Sequence, residues 1–231
     1  MSNDATGIEA VLSRIPPTRA GFDDSLLTFR REIGASLDLS DMVHISSMLR
    51  WLNRWGCRQF KKDSHELARV SIQRWYEVNA SLLPELGTGL LLLPNEAVHA
   101  TAEAYKALRR AAASRKRLAR GHVSDVTCGP TGAAKILFAL RPDALPPWDS
   151  AIRKALRFDG SRNSYLSFLC KVQRDIQDLV GEANQTGITL EQIPDFVGRP
   201  QSSLPKLVDE YHWISFTRSG SSETGDPLNG S

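Results

Sequence analysis

Two segments decide how this chain is interpreted: Thr127–Leu137, which reads TCGPTGAAKIL, and Pro146–Asp149, which reads PPWD. In the first, a Gly-Pro pair precedes small and apolar residues, which predicts a turn followed by a short helix. In the second, two prolines precede Trp148 and Asp149, and a carboxylate in that place is typical of a helix N-cap. The segments therefore predict two short helices in succession, with Thr131 and Asp149 standing 18 residues apart.

Apolar residues recur along the rest of the chain with the period of a helix, and few segments alternate with a period of two, so we predict an all-α fold. We expect a flexible arm over residues 1–22, a single helical domain over 23–218 and a disordered tail over 219–231. The domain is expected to form two lobes with a cleft between them. The predicted helices are Phe22–Leu37 with Asp23 or Asp24 as its cap, Asp41–Trp55, one from Asp63 or Ser64 to about Leu83, Asn95–Arg120 as one helix or two, the helix after Gly129, Asp149–Arg157, Ser164–Glu182, Thr189–Phe196 and Ser203–Phe216. We expect the third helix to bury Leu67, Val70, Trp75 and Val78, and the fourth to bury Val98, Ala102, Tyr105 and Leu108.

Composition excludes several classes of protein. Of the 231 residues, 41% are apolar and 24% charged, as in ordinary soluble domains, and no apolar run is long enough to span a membrane. The segment Met1–Asp4 does not resemble the start of a secretory signal. The three cysteines lack the spacing of a zinc site or an iron–sulfur cluster, so we predict no metal and no cofactor. We expect a cytoplasmic monomer that does not bind membranes.

Basic residues are concentrated in one segment, although the net charge is only +3. Lys106–Arg120 contains seven basic residues and no acidic one. Such a local positive field attracts the phosphates of a nucleic acid, and Arg115, Lys116 and Arg117 are the central candidates. The alternative is a solvated helix face with no partner.

The Gly-Pro turn itself offers a second kind of phosphate contact. A helix N-terminus presents unpaired N–H groups that bind phosphate oxygens, and glycines at Gly129 and Gly132 let a ligand approach the backbone. Ala133 and Ala134 are small enough for the two predicted helices to pack closely. The residues expected to contact a DNA backbone are Gly129, Gly132, Thr127, Lys135, Arg153, Arg115, Lys116 and Arg117.

Together, these segments resemble the helix-hairpin-helix and Gly/Pro-Asp element of a superfamily of DNA glycosylases. Its members include endonuclease III, the mismatch adenine glycosylases, 8-oxoguanine glycosylase and the alkyladenine glycosylases. The resemblance covers about thirty residues, from Val126 to Leu156, and aligns Asp149 with the catalytic aspartate of that family. It implies base flipping, with Asp149 stabilising an oxocarbenium-like sugar or orienting water.

Two departures from the family pattern narrow this expectation. Thr127 replaces the first hairpin glycine, and Thr131 stands where family members with lyase activity have a Schiff-base lysine. A threonine cannot form an imine, so the resemblance implies a monofunctional glycosylase that uses water as nucleophile. The cysteines that hold an iron–sulfur cluster in some members are also absent.

Aromatic residues line base-binding pockets because every base has a stacking face. Trp148, adjacent to Asp149, is the first candidate, followed by Trp51, Trp55 and the motif residue Thr131. We interpret Trp75 and Trp213 as core residues, and Asp209 and His212 as structural.

We therefore predict a DNA N-glycosylase that removes a modified, damaged or mismatched base and lacks lyase activity. Two alternatives remain open. One is a DNA-binding protein that keeps the hairpin without the chemistry. The other is a helical regulatory or interaction protein in which Asp149 is only an N-cap.

Overall fold

The computed structural model of the protein describes residues 20–34 and 36–218. The expected disordered tail, 219–231, lies outside the described residues, as does most of the expected arm. Residues 20–22 of that arm belong to the first helix instead. That helix begins before Asp23, so neither Asp23 nor Asp24 is its N-cap.

Helices make up most of the described chain, which confirms the predicted fold class. The α-helices are α1 (Ala20–Ile33), α2 (Met42–Arg54), α3 (His65–Asn79), α4 (Asn95–Leu108), α5 (Gly129–Leu140), α6 (Ser150–Ala155), α7 (Arg162–Gln185), α8 (Ile193–Phe196) and α9 (Leu204–Arg218). Short 3₁₀ turns occupy Lys62–Ser64, Ala80–Leu82, Leu90–Leu92, Ala119–Gly121 and Leu190–Gln192.

A two-stranded antiparallel ribbon replaces the second half of the helix predicted over Asn95–Arg120. Its strands are β1 (Ala112–Arg117) and β2 (Val123–Thr127), and Arg115 pairs with Asp125 across it. The ribbon packs against α3. Strand β2 runs directly into the Gly-Pro turn, so a strand, not a helix, precedes Gly129.

Burial follows the predicted helix faces in most elements but not in α3. The predicted inward residues of α4 (Val98, Ala102, Tyr105 and Leu108) are all buried. In α3, however, Val70 is 48% exposed and Val78 is 73% exposed. Ala68, Ile72 and Trp75 form its buried face. The prediction for this helix was wrong because the small Ala68 faces the core, whereas the larger Val70 and Val78 face solvent.

One continuous apolar core extends from Leu26 to Val208, and a small second cluster joins Leu179, Ala183 and Ile193. The described residues therefore do not divide into two lobes with separate cores. Helix α5 packs mainly against α2 and α4, whereas α6 packs against α9, so Ala133 and Ala134 are buried without bringing α5 and α6 together. None of the described helices combines the length and the apolar character that crossing a bilayer requires.

Candidate active site

Asp149 is the N-cap of α6. Its Oδ1 accepts hydrogen bonds from the backbone N–H groups of Ala151 at 2.7 Å and Ile152 at 3.2 Å. Residue 149 has the extended backbone that a cap requires. Both cap bonds use the same oxygen, and the half-buried side chain lines two cavities. Asp149 is thus a helix cap and a cavity residue at once.

The Gly-Pro turn is built differently from a free anion-binding turn. Gly129 has a φ of +62°, which favours glycine, but its N–H donates to the carbonyl of Arg109 at 3.0 Å. A Cβ at Gly132 would lie 2.6 Å from the Gln59 amide nitrogen and 3.1 Å from the buried Phe60 ring, so this glycine serves close packing against the segment that follows α2. The Gly129 amide is therefore not available to a phosphate, contrary to our expectation for that group.

The first cavity, here called the turn cavity, has a volume of about 450 Å³. It contains three residues that the sequence indicated around the turn, Thr127, Gly129 and Thr131, together with Asp149. Its complete lining is Trp55, Gly56, Cys57, Gln59, Thr127, Cys128, Gly129, Pro130, Thr131, Lys135, Asp149 and Ser150.

The second cavity, here called the helix cavity, has a volume of about 170 Å³ and is partly open to solvent. A cavity of roughly 150 Å³ holds one benzene ring, so this space is of the right order for a planar ring. One face of α9 forms much of its wall. Its lining is Asp23, Trp55, Lys135, Pro147, Asp149, Arg199, Lys206, Asp209, Glu210, Trp213 and Ile214.

Trp55, Lys135 and Asp149 line both cavities and so lie where the two spaces meet. Lys135 is only 8% exposed; its Nζ donates to the carbonyl of Trp55 at 2.6 Å and lies 5.3 Å from the centre of the Trp55 ring. The Trp55 indole N–H donates to Ser25 at 3.0 Å. Lys135 therefore faces the cavities, not an exposed surface where we expected it to contact a DNA backbone.

Four charged side chains form a closed network on the wall of the helix cavity. Arg199 contacts Asp23 at 3.0 Å and Glu210 at 2.9 Å, while Lys206 contacts Asp23 at 2.9 Å and also Glu210. Each cation is thus shared by both carboxylates. The network is neutral, and it joins α1 to α9 and to the segment that precedes α9.

Burial suppresses ionisation of the two thiols near the turn. It raises the pKa of Cys128 to about 12 and also raises the pKa of Cys57, against the smaller effect of Lys135. Both thiols remain protonated at neutral pH, so neither is an activated nucleophile.

Arg153, on α6, packs against Trp148. Its guanidinium lies 5.3 Å from the centre of the Trp148 ring and donates to the Trp148 carbonyl at 3.2 Å, and burial lowers its pKa. The Arg153 side chain is half-buried, so only part of its guanidinium group is accessible to a phosphate.

Two of the predicted base-pocket tryptophans lie in the core. Trp148 is fully buried and stacks on Phe168 at 5.0 Å, and Trp51, which is 2% exposed, stacks on Phe29 at 4.9 Å. In this conformation neither ring has a face free for a base. Trp55 lines both cavities, but its ring is also buried, stacked on Phe138 at 6.0 Å and approached by Lys135 and Lys206.

The basic triplet (Arg115, Lys116 and Arg117) is exposed on strand β1, not on a helix as expected. Arg115 lies 3.6 Å from Asp125 on the paired strand, which offsets part of its charge. The ribbon ends at Thr127, a residue of the turn cavity, so the triplet is carried by the element that leads into the candidate site.

The residues of α9 that line the helix cavity were not identified from the sequence. Trp213 was interpreted as core and Asp209 as structural, but both line the cavity. The available signal was the spacing of Lys206, Asp209, Glu210 and Trp213, which places polar side chains and an aromatic ring on one helix face. Within the described residues, no cluster of three or more His, Cys, Asp or Glu side chains is arranged to hold a metal ion.

No protein-family model, curated protein or solved structure matches this chain.

Proposed function

We propose that this protein is a monofunctional DNA N-glycosylase, with Asp149 as its catalytic residue. The observation that carries the proposal is that Asp149 lines both the turn cavity and the helix cavity. An N-glycosidic bond joins a sugar on the phosphate backbone to a planar base. The turn cavity lies beside the Gly-Pro turn, and the helix cavity has the size of an aromatic ring. A carboxylate between the two is suitably located to act on the bond that joins a sugar in the first to a base in the second.

In the proposed reaction, the nucleotide is extruded from the duplex, with its base in the helix cavity and its sugar in the turn cavity. The C1′–N bond breaks, and its electron pair leaves with the base. The Asp149 carboxylate stabilises the positive charge on the sugar. A water oxygen then bonds to C1′, Asp149 accepts the proton of that water, and solvent protonates the released base.

The cap geometry supports this role because both cap hydrogen bonds fall on Oδ1. These bonds orient the carboxylate, and Oδ2 is the oxygen that meets the sugar or the water. The Thr131 hydroxyl in the turn cavity cannot form an imine, which is consistent with a reaction by water alone.

The test is base release from oligonucleotides that carry a panel of modified or mismatched bases, with cleavage of abasic sites as the readout. We expect abasic product from the wild type and a loss of about 10²-fold or more for Asp149→Asn. Absence of product from the wild type on every substrate, or an undiminished rate for the variant, contradicts the proposal. Borohydride added during turnover should trap no covalent adduct; an adduct that disappears in Lys135→Met shows a lyase that uses Lys135.

The exposed basic triplet favours a second candidate, a DNA-binding protein without chemistry. That candidate predicts salt-dependent DNA binding by the wild type with no base release on any substrate. It also predicts that Asp149→Asn leaves DNA affinity unchanged.

A further inference from the structure

Asp209 is the one acidic residue on the cavity face of α9 that the charged network does not use. The residues at 206, 209, 210 and 213 share that face because they are spaced by three and four positions. Lys206 and Glu210 bind within the network, and Trp213 supplies an aromatic ring to the same wall. Asp209 faces the same cavity between them.

The Asp209 side chain is buried without a complete set of partners. The residue is only 9% exposed, and its Oδ1 has no hydrogen-bond partner among the described residues. A buried polar atom without a partner is costly, and in native structures it calls for an explanation. In this cavity the natural explanation is a ligand that supplies the missing hydrogen bond.

The charges around Asp209 favour its neutral form. Burial raises its pKa well above the ordinary value, and the neighbouring Asp149 raises it further, whereas Lys206 and Lys135 lower it by less. The nearest cations are already committed, Lys206 to the network and Lys135 to the carbonyl of Trp55. A neutral carboxyl has one O–H donor and one carbonyl acceptor side by side.

We propose that Asp209 recognises the base that enters the helix cavity, and that this base is uncharged and carries an N–H beside an acceptor atom on one edge. This inference rests on the proposed function for the identity of the ligand as a nucleobase. The carboxyl and such an edge form two antiparallel hydrogen bonds, one donated in each direction. The lactam edge of uracil or hypoxanthine and the amidine edge of adenine share this pattern.

The rest of the cavity is consistent with an uncharged planar ligand. The network of two cations and two carboxylates is neutral, and Lys135 balances Asp149, so the wall offers no surplus charge to a cationic base. Trp55 and Trp213 make part of the cavity wall aromatic. A lactam base methylated on the ring nitrogen of that edge loses its N–H and should be rejected.

Two substitutions of Asp209 separate recognition from packing. Asp209→Asn keeps a donor and an acceptor without a charge, so it should retain base release within about fivefold of the wild type. Asp209→Leu keeps the branching at Cγ without hydrogen bonds and should lose about 10- to 100-fold per substrate, as expected for one or two unmade hydrogen bonds. Melting curves of both variants serve as the folding control, with Asp209→Ala, which also lacks hydrogen-bonding groups, as an alternative if the leucine variant does not fold.

A binding experiment keeps this inference separate from the glycosylase proposal. Saturation-transfer NMR of the full chain with free uracil, hypoxanthine and adenine should show binding that Asp209→Leu abolishes. 1,3-Dimethyluracil, which has no N–H left, should not bind. If the wild type releases no base but these free bases bind through Asp209, the function is wrong and the recognition role stands. If the wild type releases bases and Asp209→Leu releases them equally well, the recognition role is overturned and the function stands. Loss of activity in Asp209→Asn with normal folding also overturns it, because a carboxylate would then be the required form.

Discussion

Replacing Asp149 by Ala and by Asn tests whether this residue acts only as a cap. Ala removes both bonds of the cap, and the N–H it orphans at Ile152 belongs to a fully buried residue. Loss of a cap costs roughly 0.5–2 kcal/mol, and the buried amide places this case near the upper end, at about 2 kcal/mol. For a chain of this size, about 2 kcal/mol lowers the melting temperature by roughly 4–8 °C.

Asn is the matched control because it caps helices about as well as Asp. It loses only the favourable interaction of the charge with the helix N-terminus, which is worth less than about 1 kcal/mol, so its melting temperature should fall by less than about 4 °C. The base-release rate should instead fall equally in both variants, since both lack the carboxylate.

The assay is thermal unfolding followed by circular dichroism, combined with single-turnover base release on the same preparations. Equal destabilisation by Ala and Asn would refute the account of the cap. Base release that falls in proportion to the melting temperature, with Asn close to the wild type, would show that the carboxylate serves structure alone.

Three further perturbations probe other parts of the molecule. Neutralising the basic triplet should reduce the slope of log affinity against log salt by roughly 2 to 3, as measured by fluorescence anisotropy. Replacing the exposed helical arginines Arg31, Arg74 and Arg174 should change the slope less; equal effects would contradict a role for the ribbon. Arg199→Met should lower the free energy of unfolding in urea by about 3 kcal/mol. This is the low end for a broken buried ion pair, because Lys206 still contacts both carboxylates. A loss below about 1 kcal/mol would show that the network contributes little to stability. Asp209 retains in the folded state a proton that the unfolded chain releases above pH of about 3.8, so wild-type stability should fall by up to about 1.4 kcal/mol per pH unit as the pH rises towards the folded pKa. Asp209→Asn lacks this cost, so its advantage in melting temperature over the wild type should grow as the pH rises above about 4, whereas parallel curves would show an ionised Asp209.

The helices were predictable where apolar residues recur over several turns, as in α4 and α7. The ribbon was not, because its first strand, Ala112–Arg117, consists of residues that favour helices in isolation. Its strand conformation comes from pairing with β2 and packing on α3, which are tertiary contacts that local propensity does not encode.

The candidate site was predictable only in part for a similar reason. Asp149 stood out because the turn and the aspartate lie close together in the sequence. The helix cavity joins Asp23 to Lys206, which is 183 residues away, so no local pattern could indicate it. The prediction of Trp148 as a base-pocket residue was wrong for the opposite reason: it adjoins Asp149 in the sequence, but its ring lies in the core.

Because the charged network joins α1 to α9, the wall of the helix cavity is complete only when these two helices, at opposite ends of the described chain, are packed together. Local opening of either helix should break the wall of the cavity, so the backbone amides of α1 and α9 should exchange hydrogen with solvent as one cooperative unit. A molecule bound in the cavity would slow exchange in both helices together, although they lie at opposite ends of the chain.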